Sequence, residues 1–211
     1  MWCAPGFYTA GKMLRKRNSR YHLYADDSQL YVAFKPNQMD TRSAYSSMES
    51  CIDAIKAWMN FYRLKMNDLK TEVLLISSIR RPMRNPDPLR VGDAVVHIVN
   101  EARNIGVVFD NHLSMDKQVS SICKRCFCQL RNLSRLKPYL SQSAMEQLVH
   151  CFISSILDFN NALLLGISES SVVRLQRIQN AAARIVTGTR KREHITPVLK
   201  KNCTGCLSYT G

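Results

Sequence analysis

A chain of 211 residues, 45% hydrophobic and 22% charged, suits one ordinary domain or two small ones and excludes a disordered or collagen-like composition. Thirty Lys and Arg against sixteen Asp and Glu give a formal charge of +14, which favours a polyanionic partner, nucleic acid before any other. No apolar run approaches a membrane span, and the first basic run follows the opening stretch rather than preceding an apolar core, unlike a secretory signal. The eight cysteines are therefore expected as free thiols inside the cell, nuclear or cytoplasmic.

Met1 to Gly11 carry no periodicity and read as a divergent N-terminal segment. Lys12, Arg15, Lys16, Arg17 and Arg20 then form a basic run: a solvated stretch, a localisation signal or an arm against phosphates. Next, Tyr21, Leu23 and Tyr24 precede Ala25-Asp26-Asp27, and Leu30, Tyr31, Val32 and Phe34 follow. Strand formers on both sides of the acids predict a hairpin with two carboxylates at its tip. Magnesium prefers such oxygens and binds through one or two carboxylates plus substrate phosphates. A bare aspartate pair, by contrast, usually decorates a solvated turn.

Lys35-Pro36-Asn37 breaks the strand, and Asp40, Thr41 or Ser43 is expected to cap a helix. Met48, Cys51, Ile52, Ile55, Trp58 and Tyr62 recur at three and four, the mark of an amphipathic helix packed behind the hairpin, with Trp58 in the core. Asn67-Asp68-Leu69-Lys70-Thr71-Glu72 leads into a strand at Val73 to Ile76. Arg80 to Pro88 is a basic, proline-rich linker. The β-rich runs Ala94–Val99 and Ile105–Phe109 are expected to pair as a hairpin turning near Asn100-Glu101, with Gly106 permitting close backbone approach or relieving a bulge.

Three helical faces follow: Val119 to Leu133, Met145 to Leu157, and Val172 to Ile185 stopped near Gly188. Short connections predict a small bundle. Lys117, Lys124, Arg125, Arg131, Arg135, Lys137, Arg174, Arg177 and Arg184 ride on these helices, as solvated faces or as phosphate contacts. Cys123-x-x-Cys126 and Cys203-x-x-Cys206 invite a zinc reading. The first pair falls inside a helical pattern, whereas structural zinc takes such pairs from turns, so buried thiols are expected instead.

Tyr24-Ala25-Asp26-Asp27 with Ser28-Gln29-Leu30-Tyr31 resembles the catalytic palm hairpin of reverse transcriptases from non-LTR, LINE-type retrotransposons of the CR1, L2 and jockey groups. Other phrases are similar to that family in the same order. Asn67 to Glu72 resembles the segment that closes the palm, and Asn104 to Asp110 the primer grip. Leu130 to Leu133, Leu175 to Arg184 and Arg192 to Pro197 resemble thumb and post-thumb helices. The likeness spans about Lys12 to Lys200; the Cys-containing end departs from it.

The resemblance implies an α+β fold, a partial palm of short antiparallel strands packed on a helix followed by a helical thumb bundle. It implies residues 12–110 as partial palm with the acidic and primer-grip-like hairpins, 111–190 as thumb and 191–211 as a basic, Cys-containing tail. The implied activity is RNA-directed DNA polymerisation with Mg2+ held by Asp26 and Asp27, and with Lys70 near the leaving pyrophosphate. Tyr24 would lie under the primer terminus, Gly106 would support it, and Lys124, Arg125 and Arg131 would contact nucleic acid. The partners would be an RNA template and a DNA primer, with no membrane and no small-molecule cofactor. The family's fingers and a further metal-binding aspartate have no counterpart ahead of Tyr24, so the chain is expected to be inactive alone. The alternatives are a basic nucleic-acid-binding module and a retroelement relic without function.

Overall fold

The computed structural model describes residues 20–24, 27–67, 70–80, 83, 87–91, 94–190, 193 and 195. The chain divides into two compact units, Met1–Asn100 and Glu101–Gly211. Among the described residues, helices accompany small two-stranded sheets, three antiparallel and one parallel, an α+β arrangement.

In the first unit, β1 (Arg20–Tyr24) and β2 (Asp27–Tyr31) pair antiparallel, as the flanks of the acids predict. Helix α1 spans Gln38–Phe61. Its N-cap is Asn37 rather than Asp40, Thr41 or Ser43: the Asn37 side chain accepts from Asp40 N at 2.7 Å and donates to Asp40 Oδ2 at 3.0 Å. Leu64 N donates to Met59 O and Arg63 N to Asn60 O, closing the far end as a Schellman turn with Arg63 at positive φ.

Strand β3 (Val73–Leu74) pairs parallel with β6 (Ile98–Val99), and β4 (Leu89–Val91) pairs antiparallel with β5 (Ala94–Val96). The expected hairpin between the 94–99 and 105–109 runs is thus overturned, because both halves of the first run find partners inside this unit. Helix α1 holds β4 by its backbone: Glu49 accepts from Arg90 N and Lys56 donates to Val91 O, each at 3.0 Å. Ile52, Leu89 and Val91 form the core, with Leu30, Tyr45, Met48, Met66, Val73 and Val96 packed against them.

The second unit opens with the antiparallel hairpin β7 (Glu101–Asn104) and β8 (Val107–Asp110). Helix α2 (Asp116–Leu136) follows, then α3 (Gln142–Val149), a π-helical turn (His150–Ser154), α4 (Ser155–Asp158) and α5 (Glu169–Thr187). Helix α5 stops at Gly188, whose positive φ ends it as the sequence predicts. One continuous core joins β8, α2, the α3–α4 segment and α5, including Val107, Ile122, Leu130, Met145, Ile153, Leu175 and Ile178.

The division between the units falls at Asn100–Glu101, and the β7–β8 hairpin packs with the helices. Gln118 accepts from Val108 N at 3.0 Å, Lys117 pairs with Glu101 at 3.3 Å, and Val107 lies in the helical core. These bonds fasten both strands to α2.

The β7–β8 turn has Asn104 opposite Val107, with Ile105 at φ 43° and Gly106 at φ 79°. Two successive positive φ angles are the primed hairpin turn that matches strand twist. Glycine fits this geometry; a β-branched residue does not. Replacing Ile105 by Asn is expected to raise stability by about 1 kcal/mol, seen as a higher denaturant midpoint. An unchanged or lower midpoint would mean that the turn holds no releasable strain.

Candidate functional site

The register of the first hairpin fixes the setting of the acids. Tyr24 faces Asp27 across the ladder, so only Ala25 and Asp26 connect the strands. Asp26 lies outside the described residues; Asp27 is exposed at the first position of β2. Alternation along the strands places Arg20, His22 and Tyr24 on one face with Tyr31, Gln29 and Asp27. Tyr21 and Leu30 are half-buried on the other face, and Leu30 joins the core of the unit.

That core also anchors the segment carrying Lys70. Met66 and Val73 pack on the cluster that Leu30 touches, so the sequences around Asp27 and Lys70 are tethered to one apolar nucleus. Tyr45, Met48 and Ile52 of α1 belong to the same cluster. Lys70 sits where its N–H and the Thr71 hydroxyl both donate to Asn67 O, at 3.1 and 3.4 Å. Its side chain is exposed, and among the described residues no ion pair joins it to Asp27. Trp58 is half-buried and its ring lies tilted at 49° against Tyr62, with 5.0 Å between centroids.

The remaining predicted residues lie in the second unit. Gly106 forms the β7–β8 turn and is neither a bulge nor a point of unusually close approach: an added Cβ would first meet the Phe159 ring at 3.4 Å. Lys124, Arg125 and Arg131 are exposed on α2. Lys117, Lys124 and Arg131 recur every seven residues and Arg135 follows four later, so they form one row along the helix. The opposite face carries Val119, Ile122, Cys126, Leu130 and Leu133 in the core. No acid interrupts the chain from Lys117 to Met145.

Asp110 fixes where this row begins. Its buried carboxylate accepts from His112 N and Ser114 N through Oδ1, and from Met115 N and the Ser114 hydroxyl through Oδ2, at 2.8–3.1 Å. Burial alone would raise its pKa, but these donors outweigh burial and hold it below the ordinary 3.8. Six residues on, Asp116 Oδ1 accepts from the buried Ser171 hydroxyl of α5 at 2.8 Å, and Arg174 donates to Ser120 at 3.0 Å. An aspartate before a short polar stretch and a helical face was the available signal.

Cys123 and Cys126 are buried on the inner face of α2 as free thiols. Burial, then the neighbouring Cys123, pushes the Cys126 thiol up to about 12, with Arg125 opposing. Burial also raises Cys123, against the nearby Arg174. Cys128 and Cys151 are exposed and free; Cys203 and Cys206 lie outside the described residues. Among the described residues no three His, Cys, Asp or Glu side chains converge as metal ligands, and no helix is long and apolar enough to cross a membrane.

Comparison with known family models, curated proteins and solved structures finds no match to this chain.

Two outcomes follow from these environments. Because the folded pKa of Asp110 is depressed, its stabilisation is complete above 3.8 and drains away as pH falls through the lower folded value. Asp110→Ala is expected to cost about 2–4 kcal/mol at neutral pH, since four donors lose their acceptor. Its acid-unfolding profile below 3.8 should be shallower than that of the parent chain; equal profiles would remove Asp110 from this role. Iodoacetamide at neutral pH should modify Cys128 and Cys151 but spare Cys123 and Cys126 until denaturant is added, as mapped by peptide mass spectrometry.

Proposed function

We propose that this chain is the palm-hairpin and thumb portion of a LINE-type reverse transcriptase, engaging an RNA template paired with a DNA primer. The observation that carries this reading is the β1–β2 register, with Tyr24 opposite Asp27 and only Ala25-Asp26 between the strands. Supporting it, the Asn67–Lys70 turn is tethered to the same core as that hairpin. The second unit presents a row of cations suited to backbone phosphates, giving affinity without reading sequence.

Magnesium binds through one or two carboxylates together with substrate phosphates, and Asp26 and Asp27 offer that donor set. When bound, the ion offsets charge on the phosphoryl group in transfer. Asp27 is exposed to solvent, so it would hold the ion weakly. Lys70 is the group available to protonate a leaving pyrophosphate, and Tyr24 the ring beside a primer terminus. Phosphoryl transfer depends almost wholly on positioning and charge stabilisation, so two adjacent carboxylates give little rate by themselves. A binding module without chemistry is the second reading, favoured by the acid-free run from Lys117 to Met145.

Primer extension on an RNA template with Mg2+ should give no product from this chain alone. Binding to an RNA–DNA duplex should be measurable and should weaken steeply with salt. Lys124→Ala and Arg131→Ala should each weaken it across sequences and lower the salt slope by about 1. Extension that vanishes in Asp26→Ala would make the isolated chain an enzyme and overturn the inactivity. Absence of duplex binding by a folded chain would leave only the relic.

A further inference from the structure

The exposed face of the first hairpin carries, beyond the Tyr24 and Asp27 that the proposed chemistry uses, a second ring and a cation that it does not. Three cross-strand pairs line it from tip to base: Tyr24 with Asp27, His22 with Gln29, and Arg20 with Tyr31. Tyr24 is 62% exposed and Tyr31 49%, although the opposite face of the same strands sends Leu30 into the core. Two large rings left in solvent on one sheet face are held by the ladder at low entropic cost.

We infer that this face is a stacking platform for single-stranded nucleic acid, with Tyr24 and Tyr31 as the stacking rings and Arg20 as the phosphate contact at its base. Four residues of strand separate the two ring positions along the hairpin, about 14 Å, the span of a few nucleotides. Every base has a π-face, so such a platform tolerates any sequence. Charge selects the occupant. Arg20, the cross-strand partner of Tyr31, follows in sequence the basic run of Lys12, Arg15, Lys16 and Arg17, and no acid precedes Asp26. A polyanion with flat bases satisfies both the rings and that run; an acidic peptide satisfies only the run. The inference shares a nucleic-acid partner with the proposed function but needs neither polymerisation nor the cation row of α2.

The test is fluorescence anisotropy of the full chain with a short labelled oligothymidylate, and in parallel with an RNA–DNA duplex. Threonine removes the ring while keeping a strand former in place. Tyr31→Thr and Tyr24→Thr should each weaken single-strand binding about five- to a hundredfold, with circular dichroism unchanged. Tyr31→Phe should restore nearly all of it, and Arg20→Ala should lower the salt slope by about 1. Single-strand binding untouched by both threonine variants would overturn the platform; duplex binding still sensitive to Lys124→Ala would leave the proposed function standing. Should Tyr31→Thr unfold the hairpin, Tyr31→Phe and Tyr31→Trp decide. Either ring sustaining binding supports stacking, and loss in both overturns it. Displacement of the oligonucleotide by polyglutamate at equal charge would also overturn it, by reducing the face to a general polyanion contact.

Discussion

The carboxylate of Asp110 decides how the second unit is put together. The chain must turn from the end of β8 into α2 within five residues, two of which, Leu113 and Met115, take left-handed backbone angles. Such a turn costs free energy unless its donors are satisfied. Asp110 satisfies three backbone N–H groups and a hydroxyl at once. Met115 donates to it while its side chain is buried in the helical core, so polar and apolar constraints meet in one residue. Asp116 carries the constraint to α5 through Ser171. The azimuth of α2 is thereby set, with its apolar seam inward and the row through Lys117, Lys124 and Arg131 outward.

Among the described residues, the first unit is built on less. Its buried cluster among them is Ile52, Leu89 and Val91, with Ala44 and Cys51 also buried on α1, whereas the second unit has a continuous core drawn from a hairpin and several helices. Its sheets have two strands each, a size that is marginal without further packing. Two α1 side chains bonding the backbone of β4 supply part of what packing does not. Local stability is therefore expected to be lower here than in the second unit. That matters for the proposed chemistry, because a catalytic constellation needs a rigid support and a phosphate-binding helix face needs much less.

The sequence was most legible where periodicity was long and local. The faces of α1, α2 and α5 follow directly from the three-and-four spacing of their apolar residues, and Gly188 ends the last as its backbone freedom requires. The acidic hairpin was legible because strand formers flank a natural turn. Pairing among residues 94–110 was not. Two-residue strands such as Ile98–Val99 find partners far away, here at Val73–Leu74, and nothing local encodes that choice. The β7–β8 turn was masked by Ile105, a β-branched residue in a left-handed position that propensity disfavours. The π-helical turn at His150–Ser154 leaves the apolar repeat from Met145 to Leu157 looking like one uninterrupted helix. Asp110 was visible as a residue but not as a cage, since its partners are aligned only once the chain has turned.

On the proposed reading, binding and chemistry make unequal demands on these residues. Affinity for a nucleic-acid backbone grows with each phosphate neutralised and tolerates small displacements of a lysine or arginine. Transfer of a phosphoryl group fails when a carboxylate or its metal moves by about an ångström. The cations of α2 stand on a helix fixed by a buried carboxylate and a continuous core; the acids of the β1–β2 hairpin stand on a two-stranded ladder over a small cluster. The part of the chain that needs the least precision thus has the firmest support. A chain arranged in this way can keep hold of a polynucleotide long after losing the ability to extend one, because the two properties rest on different units and on different physical tolerances.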